Sequence, residues 1–175
     1  MDLCAAPGGK SCAAAEKMED TGKVYSFDLY PQKKVLIERE AERLNLRIVS
    51  AKTADGTLFD SDMEKRADCV LVDAPCSGLG VVRRKPEIKL KAQDGNLENI
   101  SEKQLLLLST ACNYVKPGGK LMYSTCTINP SENNKITDEF LKNHTEFKEE
   151  QRRQLLSSKE GTDGFYICLM RRQND

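Results

Sequence analysis

Two cysteines and an aspartate set the chemistry that this chain could perform. Asp73-Ala74-Pro75-Cys76-Ser77-Gly78 follows directly on Ala67 to Val72, a nearly continuous apolar run. Tyr123-Ser124-Thr125-Cys126-Thr127-Ile128-Asn129-Pro130 follows the next strand-like segment, Lys120 to Ser124. A lone cysteine at a strand end is usually inert and behaves as a small hydrophobe. Two thiols, each in a small and polar turn and one beside a carboxylate, point instead to cysteine chemistry. If the two strands are neighbours, Cys76 and Cys126 open into one cleft.

Three further positions have the residue types of a nucleotide-like ligand site. Asp2-Leu3-Cys4-Ala5-Ala6-Pro7-Gly8-Gly9-Lys10 ends a strand and opens a helix. Small residues there let a ligand approach the backbone, and a helix N-terminus offers unpaired N–H groups. Gly-Gly alone is equally a plain strand-to-helix turn; the whole nine-residue string is more specific. Asp28 ends the next strand, where an acid can accept hydrogen bonds from both hydroxyls of a ribose. Asp55, in Thr53-Ala54-Asp55-Gly56, sits at the following strand end and could accept from an adenine amino group. Both aspartates also suit ordinary turns.

The elements that must hold these residues alternate along the chain. Ala-rich Lys10 to Met18 predicts a helix. Lys23 to Asp28 predicts a strand, Pro31 a helix start, Lys33 to Leu44 a helix, and Leu46 to Ala51 a third strand. Ala67 to Val72 reads as a strand buried on both faces of a parallel sheet. A polar, basic loop runs from Pro75 to about Asn99. Ser101 to Val115 predicts a helix with Ser101 as N-cap. Lys116-Pro117-Gly118-Gly119 ends it and leads into the strand Lys120 to Ser124. Glu132 to Leu141 predicts a helix and Phe165 to Arg171 a last strand. Alternating strands and helices define an α/β fold with a mostly parallel, doubly wound sheet. The first strand of such a sheet is central, yet here it is expected to be truncated to the few residues before Cys4.

The bulk properties agree with one domain. The chain has 175 residues, 39% hydrophobic and 31% charged, the balance of an ordinary globular protein. Its 27 basic and 27 acidic residues cancel, which argues against tight, independent nucleic-acid binding while leaving room for a local basic groove. No apolar run approaches a membrane span, and no secretory signal opens the chain. Seven cysteines without a secretory signal predict free thiols in a reducing compartment, the cytoplasm. No Cys-x-x-Cys pair and a single histidine, His144, set a zinc site aside, so no metal is expected. His144 is read as a surface residue without a role.

Four motifs, in order and over nearly the whole chain, carry a resemblance: Asp2 to Lys10, Asp73 to Gly78, Lys116 to Gly119, and Ser124 to Asn133. Asp163-Gly164-Phe165-Tyr166 adds a fifth. Together they resemble the catalytic domain of the RsmB/Sun (NSUN) family of RNA 5-methylcytosine methyltransferases. Arg83-Arg84-Lys85-Pro86-Glu87 is similar to the bacterial small-subunit rRNA branch. The resemblance implies a Rossmann-like class I methyltransferase fold using S-adenosyl-L-methionine. It implies one catalytic domain over residues 1–175, with the family's N-terminal RNA-binding region outside this chain.

The same resemblance assigns roles. Cys4, Ala5, Ala6, Pro7, Gly8, Gly9 and Lys10 would wrap the methionine and ribose side of the cofactor. Asp28 would hold the ribose hydroxyls, Asp55 would sit at the adenine, and Asp73 near both cofactor and target base. Cys126 would be the nucleophile and Cys76 would assist product release. Arg83, Arg84 and Lys85, with Lys89 and Lys91, form the best local basic patch for RNA phosphates, or else a solvated loop. The partner would be RNA, with rRNA of the small subunit as the first choice. The same chemistry on tRNA, a small-molecule methyltransferase and an inactive RNA-binding module are the competing readings.

Overall fold

The computed structural model describes residues 1–88 and 97–174, in two units, Met1–Asp62 and Met63–Asp175. In the first unit the Ala-rich segment folds as helix α1 (Gly9–Lys17) and buries Ser11, Cys12 and Ala15. Strand β1 (Val24–Asp28) follows, then helix α2 (Pro31–Arg43) with Pro31 in its first turn. A proline suits that turn because its missing N–H has no helical partner to lose. Strand β2 (Val49–Thr53) pairs with β1 in parallel, from Val24 opposite Val49 to Asp28 opposite Thr53. On the other side of β1, Asp2 makes an isolated parallel bridge to Ser26. The bonds Asp2 N–H to Tyr25 O and Phe27 N–H to Asp2 O, each 2.8 Å, make that bridge.

The third predicted strand begins three residues later than its sequence suggests. Asn45 takes a positive φ of 55°, and Asp20 Oδ1 accepts from the N–H groups of Arg47 and Ile48 at 2.8 and 3.1 Å. Those backbone donors are thereby withdrawn from the ladder, which starts at Val49.

The second unit is a sheet with helices. Strands β3 (Ala67–Asp73), β4 (Val115–Thr125), β5 (Phe147–Leu155) and β6 (Phe165–Arg172) lie in the order β3-β4-β6-β5. The β3–β4 pair is parallel, whereas β6 runs antiparallel to both β4 and β5. Helices α3 (Leu97–Ala111) and α4 (Asn134–Asn143) complete the unit. Val70, Val72, Leu108, Leu121, Tyr123, Phe140 and Met170 are wholly buried.

The structure departs from the sequence reading at five places. Ser101 is not an N-cap: α3 already begins at Leu97, and the Ser101 hydroxyl donates to the Ser131 carbonyl at 3.3 Å. That helix ends at Ala111, giving way to a 3-10 turn at Cys112–Tyr114, so Val115 belongs to β4. The Pro-Gly-Gly segment is then an irregularity within a strand, between the Val115–Ala67 and Lys120–Cys69 pairs. Glu132 lies before α4, not in it, because its side chain is drawn into the site described below. Finally, β5 has the sequence Phe-Lys-Glu-Glu-Gln-Arg-Arg-Gln-Leu and no β-branched residue. It is an edge strand, where charges are tolerated and guard against further pairing. Among the described residues no helix is long and apolar enough to cross a membrane.

Candidate active site

In the first unit the structure builds the glycine turn from its backbone outward. Gly8 has φ +113°, a left-handed conformation that favours glycine, and a Cβ there would meet the Ile37 backbone at 3.2 Å. Gly9 faces open space, with nothing within 4 Å of the point a Cβ would occupy. Asp2, buried at 3% exposure, braces the turn. Its carboxylate accepts from the Ser11 hydroxyl at 2.8 Å and from Cys4 N–H at 3.3 Å. Asp28 is also buried, and accepts from Ala6 N–H at 3.3 Å and Tyr30 N–H at 3.4 Å, with Lys33 Nζ at 3.5 Å. The turn at Cys4 to Ala6 and the strand end at Asp28 are thereby brought together. Asp55 accepts from the Thr57 N–H at 2.9 Å and its hydroxyl at 2.7 Å, which fixes the turn after β2. A ledge of small residues beside a buried carboxylate is a donor and acceptor set that fits the ribose and methionine of S-adenosylmethionine.

In the second unit β3 and β4 end side by side, and the two thiols meet. Asp73 lies opposite Ser124 in the ladder and accepts its hydroxyl at 2.7 Å. Cys76 Sγ lies 3.3 Å from Cys126 Sγ, within hydrogen-bonding range. All seven cysteines are free thiols. The bond to Cys126, with burial behind it, pushes the Cys76 thiol well above the ordinary thiol range.

What holds the thiols at this distance is Glu132, which has no exposed surface. Its carboxylate accepts from Ser77 N–H (2.8 Å), Ser77 Oγ (2.6 Å), Gln104 Nε2 (3.2 Å) and Asn129 Nδ2 (3.0 Å). Ser77 follows Cys76, and Asn129 belongs to the loop after Cys126, so one carboxylate ties both thiol loops. A buried charge is tolerated when its lone pairs are all satisfied in this way. Gln104 also donates to the Pro75 carbonyl at 2.9 Å, and Ser77 Oγ lies 2.8 Å from Thr127 Oγ1. The backbone makes a further tie. Gly80 N–H donates to Cys126 O at 3.0 Å, and Gly80 O accepts from Gly164 N–H at 2.8 Å. A Cβ on Gly80 would lie 1.9 Å from Gly164 O, so only glycine fits. This explains the Asp163-Gly164 motif: it seats the loop that carries Cys76 against the loop that carries Cys126.

Sequence reasoning gave no individual role to Asp2 or Glu132, though both lie within the motifs, and missed Lys33 and Gln104. Glu132 had a signal, being an acid in a polar run just after a strand-end thiol; Gln104, at the head of a leucine run, had none. The basic patch is only partly available. Arg83, Arg84 and Lys85 are exposed, but the Arg84 guanidinium is paired with Asp163 Oδ2. Lys89 and Lys91 lie outside the described residues.

A Rossmann-like α/β chain with a small-residue turn, a strand-end acid and paired strand-end thiols defines a methyltransferase class of protein. A family model described as 16S rRNA methyltransferase RsmB/F matches residues 1–171, and the chain belongs to that family. It is 40% identical over 99% of its length to a probable ribosomal RNA small subunit methyltransferase B of Bacillus subtilis, covering 43% of that protein. It is 34% identical to the ribosomal RNA small subunit methyltransferase B of Shewanella oneidensis, over 97% of this chain and 42% of that one. It also resembles the crystal structure of NSun6 from Pyrococcus horikoshii with SFG, at a TM-score of 0.87 and 26% identity, over 99% of this chain and 47% of that chain. The chain thus spans less than half the length of these relatives.

Proposed function

We propose that this chain is a single catalytic domain, residues 1–175, of an enzyme that methylates carbon 5 of a cytosine in small-subunit rRNA. The observation that carries the reading is the pair of thiols 3.3 Å apart at adjoining strand ends, held by a buried carboxylate. Methyl transfer to oxygen or nitrogen needs no thiol. Carbon 5 of cytosine does, because it is a poor nucleophile until the ring is activated. The enzyme acts in the cytoplasm, on RNA taken up partly through Arg83 and Lys85.

The chemistry follows from the residues. Cys126, as thiolate, attacks carbon 6 of the unstacked base and forms a carbon–sulfur bond. The ring electrons move toward carbon 5, and Asp73 holds the amino edge of the ring. S-adenosylmethionine, when bound, supplies an electrophilic methyl group to carbon 5. Loss of the carbon 5 proton then restores the ring double bond and expels Cys126 as thiolate. Cys76 serves the release step.

Cys4 to Lys10 and Asp28 hold the cofactor, with Asp55 at the adenine end. Asp28→Ala weakens S-adenosylmethionine binding about 10- to 100-fold, the worth of one charged hydrogen-bond acceptor. Titration calorimetry on the chain checks this, and unchanged affinity removes Asp28 from the site.

The test of the function is the product. Methylated rRNA fragment, digested to nucleosides, contains 5-methylcytidine; a methyl group on any other atom overturns the proposal. Cys76→Ala stalls the release step and accumulates a covalent protein–RNA adduct through Cys126. A denaturing gel shows an RNA-dependent shifted band that is lost when Cys126 is also replaced. No such band, where the unsubstituted enzyme turns over, ends the release role for Cys76.

A further inference from the structure

Away from the paired thiols, the second unit brings Cys112, His144 and Glu146 together. One donor atom from each lies within 4.8 Å of the other two. Cys112 Sγ is 3.6 Å from His144 Nδ1, and that nitrogen is 3.5 Å from Glu146 Oε1. A tetrahedral zinc ion with ordinary bond lengths separates a sulfur and a nitrogen ligand by about 3.6 Å, and a nitrogen and an oxygen ligand by about 3.4 Å. The observed spacings match both edges.

The three side chains are set by rigid backbone. Cys112 opens the 3-10 turn after α3, and Arg172 Nη1 fixes that turn by donating to the Cys112 and Val115 carbonyls at 3.3 and 2.9 Å. His144 caps α4, and its ring stacks on Phe140 with centroids 4.4 Å apart. Phe147 N–H donates to His144 O at 3.0 Å, closing the turn that holds His144 and Glu146 on one side. The sulfur is buried, whereas His144 and Glu146 are 24% and 41% exposed, leaving an approach from solvent. We propose that Cys112, His144 and Glu146 form a site for a divalent transition metal of the zinc class, independent of the methyltransferase chemistry.

The charges suit that occupant. Without metal, the Cys112 thiol donates to Ser109 O at 3.1 Å. Binding displaces that proton to solvent. The thiolate and Glu146 carboxylate then balance the ion's two charges. Sulfur, nitrogen and oxygen together select zinc-like ions over calcium or magnesium, which take oxygen ligands. The ion ties the ends of α3 and α4 to the start of β5.

The test uses the full chain carrying Cys76→Ser and Cys126→Ser, so that the paired thiols cannot bind the probe. Zinc is titrated against a chromophoric chelator, and cobalt(II) is followed by absorption. The expected result is one ion per chain and a thiolate-to-cobalt charge-transfer band. Cys112→Ser abolishes the band and weakens zinc binding at least about 100-fold, more than loss of an outer-shell contact does. Glu146→Gln, a conservative change at a partly exposed position, weakens binding while leaving the circular dichroism spectrum unchanged. Absence of stoichiometric binding, a band that persists in Cys112→Ser, or unchanged affinity in Glu146→Gln overturns the site.

Discussion

Replacing Cys126 with alanine is expected to lower methyl transfer to RNA at least about 1,000-fold, as removal of a covalent nucleophile does. S-adenosylmethionine affinity stays as it was, because the cofactor residues proposed in Met1–Asp62 do not include the thiol. The substitution removes one sulfur from a half-buried position, so the cost to folding is small. The measurements are incorporation of labelled methyl into rRNA and a parallel cofactor titration. Turnover within about tenfold of the unsubstituted enzyme would remove Cys126 as nucleophile. Loss of both activities together would mean that the change had unfolded the chain, which circular dichroism detects. Cys126→Ser gives a finer reading: a hydroxyl of nearly the same shape is far less ionised at neutral pH, so activity is lost although packing is kept.

The second large effect falls on Glu132. Glu132→Ala strips four donors, from Ser77, Gln104 and Asn129, of their acceptor in a buried place. Each stranded donor costs roughly 1–3 kcal/mol, and relaxation around the gap recovers part of the sum. The expected loss is about 3–5 kcal/mol of unfolding free energy, a large share of a domain's stability. Urea denaturation reads it as a shift in midpoint, and a loss below about 1 kcal/mol would show the carboxylate to be dispensable. Glu132→Gln keeps the shape and one acceptor oxygen but brings an amide among groups that already donate. That variant folds, yet the loops after Cys76 and Cys126 lose their common anchor. Its methyl transfer drops about 10- to 100-fold with cofactor affinity unchanged, since a displacement of the order of 1 Å at a reacting group has that effect. A Gln variant with unaltered rate would confine Glu132 to folding.

Much of the architecture was legible from local pattern. Pro31 at a helix start, the Ala-rich α1 and the apolar run of β3 each carry their signal within a few residues, so α1, β1, α2, β3 and β6 fall close to where the sequence puts them. The strand β5 was not legible, because Lys148 to Gln154 are all polar or charged and its structure comes from pairing with β6. Ser101 misled for a related reason. A serine before an apolar run has the form of a cap, but its hydroxyl finds the Ser131 carbonyl, far along the chain.

The chemistry divides in the same way. The amino-acid order by itself determined which groups exist and that each stands at a strand end: Asp28 after one strand, Asp73 and Cys76 after another, Cys126 after a third. Strand-to-loop transitions are local events, and small or polar residues mark them reliably. Only the tertiary structure decided that Cys76 and Cys126 stand 3.3 Å apart, that Glu132 leaves the helix pattern to bind both loops, and that Gly80 and Gly164 touch. It also decided that Cys112, His144 and Glu146 converge, where sequence spacing had set metal binding aside. Ligand spacing in sequence detects only sites built on one turn. These groups come from separate elements whose approach is dictated by the parallel pairing of β3 with β4 and the antiparallel return of β6, and long-range pairing of that kind leaves no periodicity in the chain to read.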